Sequence, residues 1–264
     1  MNRIKSFTVL AMAACFAFSC GTQSENNLDA AGGNSGPSSV QEAVGKPGKA
    51  DNILSPEEKN ERWELLFDGK RMEHWRGFKK EEVPDAWQVE DGAIVLAGKE
   101  GGDLVTKNEY QDFELMLDWK ISEGGNSGII FNVSEDPKFD YTWQTGPEMQ
   151  ILDDERHPDA KQGKNNNRQA GTNYDLHPLS TPAVKAAGEY NRVRLVVNDG
   201  HVTHYLNGKK VVAYTLWSPE WEKLVKGSKF AGMPDYGRFK QGHIALQDHG
   251  DKVWFKNIKI RRLE

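Results

Sequence analysis

"NRVRLVVNDGHVTHYLNGKKVVAY", residues 191–214, holds two turn signals close together, Asp199-Gly200 and Asn207-Gly208. Each is a pair that favours a two-residue hairpin turn with positive φ at both central positions. Runs rich in Val, Tyr and Leu flank the pairs, so the stretch reads as three strands of an antiparallel meander. Asp91-Gly92 repeats the signal inside "WQVEDGAIVLA" (87–97). "WELLFDGK" (63–70) reads as a strand entering a turn at Asp68-Gly69. "DFELMLDWKIS" (112–122) alternates Phe113, Leu115, Leu117 and Trp119 against Glu114, Met116, Asp118 and Lys120. "NSGIIFNV" and "PEMQILD" add two strands, and "GHIALQDHGDKVWFKNIKIRRL" (242–263) adds two more about a turn near Gly250. Many short strands with regular turn signals predict an all-β antiparallel sandwich. One short helix is expected in "SPEWEKLVKGSKF" (218–230), with Ser218 as N-cap and Pro219 in the first helical position. Residues 153–189 have little periodicity and form a long connection, of the kind that is usually functional or disordered.

The chain has 264 residues, a net charge of −5, and both of its cysteines within the first twenty positions. Lysine and arginine are interspersed with acids, so there is no footprint for nucleic acid. The 8 Trp, 7 Tyr and 11 Phe supply core material and planar surfaces for sugars. Residues 1–19 have a charged start, an apolar stretch and a small-residue end, the layout of a secretory signal. Cys20 after Ser19 resembles a lipoprotein cleavage site, which predicts a lipid anchor in the bacterial cell envelope; Cys15 is the rival position. Residues 20–60 are expected to be a flexible polar tether, and 61–264 the folded domain.

Several segments occur together in order: "LFDGKRMEHW", "DFELMLDWKISEGGNSGIIFNV", "GPEMQILDD", "AGTNYDL", "AGEYNRVRLVVNDGHVTHYLNG" and "GHIALQDHG" followed by "VWFKNIKI". Together they resemble the 3-keto-disaccharide hydrolase domain family over about residues 63–262. The resemblance implies a jelly-roll sandwich of the concanavalin A-like lectin and glucanase type. It also implies cleavage of glycosides whose sugar carries a ketone at C3. Asn132 departs from the family, where many members carry Arg after "SGIFF".

A C3 ketone acidifies the proton on C2, so a base can remove it and the C1 substituent can leave. Such a site needs a base, an electrophile for the enolate oxygen, and an acid at the leaving group. Met149 and Ile151 are expected to face the core, turning Glu148 and Gln150 toward a cleft, with Glu148 as base or ligand. Gln247 and His249 share the open side of "ALQDHG", and His249 is a candidate base or ligand. Tyr174 is expected to bond sugar or close the cleft. His204 reads equally as a buried histidine, and the recurrence of "HxLNG" in the resembling family adds it to the catalytic candidates. Asn126, Ser127, Asn132 and His157 complete the candidate substrate contacts. A divalent ion, manganese or calcium, is the expected electrophile, with Glu148, Asp154 and His249 as ligands.

No nucleotide-binding fingerprint, phosphate loop, nucleophile elbow or zinc-protease motif is found. The sugar oxidation therefore falls to a separate oxidoreductase. Two rival readings stand beside the keto-glycoside one: a non-catalytic carbohydrate-binding module, and a conventional glycoside hydrolase on unoxidised glycan.

Overall fold

A computed structural model describes residues 51–98 and 101–263. The cysteines and expected signal lie outside them. In chain order the strands are β1 (Glu64–Leu65), β2 (Trp75–Gly77), β3 (Trp87–Glu90), β4 (Ala93–Leu96), β5 (Leu104–Thr106), β6 (Phe113–Ile121) and β7 (Asn126–Val133). They continue with β8 (Glu148–Leu152), β9 (Asn191–Asn198), β10 (His201–Leu206), β11 (Lys209–Thr215), β12 (His243–Leu246) and β13 (Val253–Arg262). An eight-stranded antiparallel sheet runs β11-β10-β9-β6-β13-β4-β3, with β1 added against β13. A five-stranded sheet runs β2-β5-β12-β7-β8. This is the expected all-β sandwich.

The three hairpin signals fold as expected. Asp91-Gly92, Asp199-Gly200 and Asn207-Gly208 all have positive φ, between 44° and 81°, and join β3 to β4, β9 to β10, and β10 to β11. Two other junctions behave differently. β12 and β13 are not a hairpin about Gly250, because they belong to different sheets. The same holds for β6 and β7. At both places the chain crosses from one layer to the other, which a period-2 pattern cannot reveal.

Large side chains fill the space between the layers. Phe113, Leu115, Leu117 and Trp119 of β6 meet Ile129 and Phe131 of β7, Met149 and Ile151 of β8, and Ile244 and Leu246 of β12. The exposed row of β8, at the edge of the smaller sheet, is covered by the long connection. Gly171 and Tyr174 donate backbone hydrogen bonds to Gln150 and Glu148 at 2.8 and 3.0 Å, and Thr172 accepts from Gln150 at 3.1 Å. The 153–189 connection is therefore partly an extra edge, which shields β8 from unwanted pairing.

The tether does not extend to residue 60. Asn52 is buried, and it exchanges hydrogen bonds with Asn257 at 2.7 and 2.8 Å. A short helix α1 (Pro56–Asn60) follows, closed by a capping box between Ser55 and Glu58. The helix expected after Ser218 is α2 (Pro219–Lys226), with Ser218 Oγ accepting from the Trp221 amide at 3.2 Å. The chain thus has two short helices among the described residues, not one. None is long and apolar enough to cross a membrane.

Candidate active site

Alternation along the smaller sheet creates two faces with different chemistry. With Met149, Ile151, Ile129, Phe131, Ile244 and Leu246 in the core, the opposite face receives Glu148, Gly128, Ile130, Ala245 and Gln247. There Val105, Ile130, Val133 and Ala245 form a second apolar cluster, with Phe78 and Trp143 packed on it. Beside it opens a cavity of about 690 Å³, to which Glu148, Lys229, Asp103, Gln247 and His249 contribute.

Glu148 is only 5 % exposed, and no hydrogen bond to its carboxyl is found among the described residues. The carboxyl lies across Gly128 on the neighbouring strand. A Cβ at residue 128 would stand 2.4 Å from Glu148 Oε1, so only glycine leaves this space open. Burial pushes the Glu148 pKa up to about 8; the Lys229 ammonium opposes the rise, and the Asp103 and Asp159 carboxylates reinforce it. Lys229 Nζ stands 4.1 Å from the centroid of the Tyr174 ring. Lost hydration lowers its pKa, while the Glu148 charge pulls the other way.

Tyr174 is a brace for this corner rather than an open sugar contact. Its hydroxyl donates to Asp159 Oδ2 at 2.7 Å, and Arg168 bridges Asp159 and Asp175 at 2.8 and 2.7 Å. Burial alone would raise the Asp159 pKa, but the bonds from Tyr174 and Arg168 win and hold it below the usual range.

Across the cavity, Asp103 accepts from Thr142 Oγ1 and, at 2.8 Å, from the Asp248 amide. Burial pushes its carboxyl up, against those two bonds. Asp248 ties its own loop to the segment before β5, accepting from the Gly101 and Gly102 amides at 2.5 and 2.9 Å and from the Gly250 amide at 2.9 Å. This clamp sets the loop that carries His249. The His249 ring is exposed at the cavity rim, edge-on to His157 with centroids 6.3 Å apart. His157 Nδ1 is already engaged, accepting from the Asp159 amide at 3.2 Å.

The remaining expected residues lie elsewhere. His204 is fully buried; its Nδ1 meets the Gly171 carbonyl at 3.0 Å, and burial lowers its pKa to about 4. It is a neutral core histidine, outside the cavity. Ser127 donates to the Gln247 carbonyl at 2.8 Å, tying β7 to the chain after β12. The Asn126 amide donates to Asp251 at 2.9 Å. Asn132 sits at positive φ (55°), and its side chain donates to the Phe239 carbonyl at 2.9 Å, so the departure from Arg serves a bend in β7. Gln150 is buried, and its Oε1 accepts from the Ile151 amide at 3.0 Å.

Asp154 accepts from the Ala170 amide at 2.8 Å, and burial raises its pKa to about 6. It does not join Glu148 and His249: among the described residues, no three His, Cys, Asp or Glu side chains are grouped to hold a metal ion. The expected ligand set does not fit a metal ion.

Sequence reasoning missed Asp103, Lys229, Tyr141 and Trp143. Asp103 was within reach, since it has the parity of the outward Val105 on the short β5 of "GGDLVT". Lys229 follows α2 and carries no periodic signal.

Residues 62–261 match the 3-keto-alpha-glucoside-1,2-lyase-like domain. A 3-keto-disaccharide hydrolase of Bacteroides thetaiotaomicron is 38% identical over 227 residues, covering 75% of this chain and 78% of that one. A crystal structure of a candidate glycosyl hydrolase from Parabacteroides distasonis is 37% identical, with a TM-score of 0.74 over 81% of this chain and all (100%) of that one. A second from the same organism is 31% identical, with a TM-score of 0.59 over 76% and 99%. The match spans the whole sandwich and includes the strands that build the cavity, so the chain belongs to the 3-keto-alpha-glucoside-1,2-lyase-like domain family.

Proposed function

We propose that this protein cleaves the glycosidic bond of 3-keto-glycosides, with Glu148 as the base. The observation that carries the reading is the unpartnered, buried Glu148 carboxyl facing the cavity with its pKa raised to about 8. An ordinary carboxylate is a weak base toward carbon; one with a pKa near the working pH is stronger and still partly ionised. Glu148 takes the C2 proton, and the electron pair passes to the C3 oxygen as an enolate. The Lys229 ammonium stabilises that oxygen. The enolate then re-forms the ketone, a C1–C2 double bond forms, and the C1–oxygen bond breaks. His249, at the rim, protonates the departing oxygen. Water adds to C1 and gives its proton to His249, restoring the acid; the Glu148 carboxyl, having exchanged its proton with solvent, protonates C2, so that one water is consumed overall.

A second reading has one specific observation in its favour. Asp103 is another carboxyl with a raised pKa in the same cavity. A pair of carboxylates is the equipment of a conventional glycoside hydrolase. The experiment that separates them uses residues 51–264 with a 3-keto-disaccharide beside the unoxidised sugar, in deuterated water. Cleavage of the keto sugar alone, with deuterium entering C2, is the expected outcome. Cleavage of the unoxidised sugar without exchange gives the role to the carboxylate pair. Binding without cleavage of either makes the domain a carbohydrate-binding module.

The same reading includes lipid attachment at Cys20 and supply of the keto sugar by a separate oxidoreductase. Support for the first is the charged, then apolar, start ending at Ser19-Cys20. Cys20→Ala in the full chain is expected to release the protein from the membrane fraction; retention would point to Cys15.

A further inference from the structure

Tyr141 and Trp143 stack on one another at the cavity wall, with ring centroids 5.1 Å apart and planes inclined by 13°. Tyr141 is 55 % exposed, which is unusual among the large side chains of this domain. The backbone that carries both rings is braced. They flank Thr142 in a 3-10 turn (Thr142–Gln144), and the Gln144 side chain accepts from the Asp140 and Tyr141 amides at 2.6 and 2.9 Å. Thr142 bonds Asp103, and Trp143 packs on the outer apolar cluster. Trp143 thus backs the exposed Tyr141 ring, and an aromatic plane supported in this way loses less entropy when a ring settles on it.

Their place in the sheet separates them from the reacting groups. Glu148 is on the edge strand β8, whereas the turn that carries the two rings lies against β7, where Trp143 packs on the cluster of Val105, Ile130, Val133 and Ala245, and reaches through Thr142 to Asp103, just before β5. Neighbouring strands are about 4.8 Å apart, so β5 lies roughly 14 Å from β8. The cavity volume lies within the range of roughly 300–1,000 Å³ typical of small-molecule pockets. A keto sugar seated with C2 at Glu148 leaves the aromatic end for the group beyond the scissile oxygen.

We propose that Tyr141 and Trp143 form the leaving-group subsite, a plane on which the ring attached through the scissile oxygen stacks. A pyranose with an apolar C–H face and an aromatic aglycone share this chemistry. The assignment of ends rests on the keto-glycoside reading. The stacking surface itself does not.

The kinetic test compares a methyl 3-keto-glucoside, a phenyl 3-keto-glucoside and a 3-keto-disaccharide. Trp143→Ala and Tyr141→Ala are each expected to raise KM for the two ring-bearing substrates by roughly two- to tenfold, from the ordinary strength of ring stacking. kcat should hold, the methyl glycoside should be turned over normally, and Trp143→Phe should restore most of the loss. A larger effect on the phenyl substrate marks an aromatic aglycone as the natural occupant; a larger effect on the disaccharide marks a sugar. Equal losses on all three substrates, or none, overturn the subsite. Should the wild type cleave no 3-keto-glycoside, the functional reading fails separately. The platform is then judged by saturable quenching of tryptophan fluorescence with unoxidised phenyl glucoside. Quenching in the wild type that is absent from Trp143→Phe supports it, and no saturable quenching in the wild type overturns it.

Discussion

The two outer faces of the sandwich bury carboxylates equally and treat them in opposite ways. On the larger sheet, Glu114 and Asp118 of β6 are 4 % and 5 % exposed. Each has cross-strand cations: Arg192 binds Asp118 through two bonds of 2.8 and 3.0 Å, with Asn257 adding a third at 2.7 Å. Glu114 is held between Arg194 and Arg261. On the smaller sheet, Glu148 is buried to the same 5 %, and among the described residues no ion pair or hydrogen bond is made at its oxygens; only the Lys229 charge acts on it from across the cavity. Burial without a partner costs free energy. Paired carboxylates hold sheets together; an unpaired one in a cavity stores reactivity.

Substitutions can break or sharpen this contrast. Glu148→Gln should lower kcat by about 10²–10⁴-fold, the usual worth of a general base, and a rate within threefold of wild type would remove Glu148 from the chemistry. The rising limb of the wild-type kcat/KM profile should lie near pH 8, where the Glu148 carboxyl ionises, and should be missing from any residual activity of Glu148→Gln. Gly128→Ala should reduce kcat by roughly tenfold or more while circular dichroism stays unchanged, because the new methyl displaces the carboxyl rather than the fold.

Stability gives a smaller signal with a definite sign. The folded pKa of Glu148 lies above its ordinary 4.5, so between 4.5 and about 8 the folded chain keeps a proton that the unfolded chain has lost. Its carboxyl therefore costs stability increasingly as pH rises through that window. Glu148→Gln should match the wild type at about pH 4 and exceed it at about pH 9, by an amount on the order of a few kcal/mol in urea unfolding. Equal stability at both pH values would mean the carboxyl is solvated. On the other face, Asp118→Ala should cost about 1–2 kcal/mol and leave kcat alone, since Arg192 is largely exposed and screened. A loss of activity there would end the division of labour between the faces.

Much of the fold was legible because its signals are local. Asp-Gly and Asn-Gly pairs need only their own φ angles, so the hairpins at 91–92, 199–200 and 207–208 could be placed from the letters. The parity of Met149 and Ile151 likewise turned Glu148 outward before any contact was known. Layer changes after β6 and β12 were not legible, since nothing in a strand's alternation says which sheet it joins. His204 illustrates the same limit. Its neighbours Val202 and Leu206 matched a core face, yet only the meeting of β10 with the Gly171 loop decided what its ring bonds.

The sequence by itself determined the strands, the hairpin turns, the outward set of Glu148 and the likeness that carries the family. These depend on backbone preferences and period-2 alternation, which act within a few residues. Only the tertiary structure decided which outward side chains meet. Asp103, Lys229, Trp143 and Glu148 stand up to 126 residues apart along the chain, and their shared cavity and mutual charges exist only once the smaller sheet, the loops beside it and the segment after α2 converge. Distance in space sets burial and Coulomb interaction, and the order of the letters does not encode it.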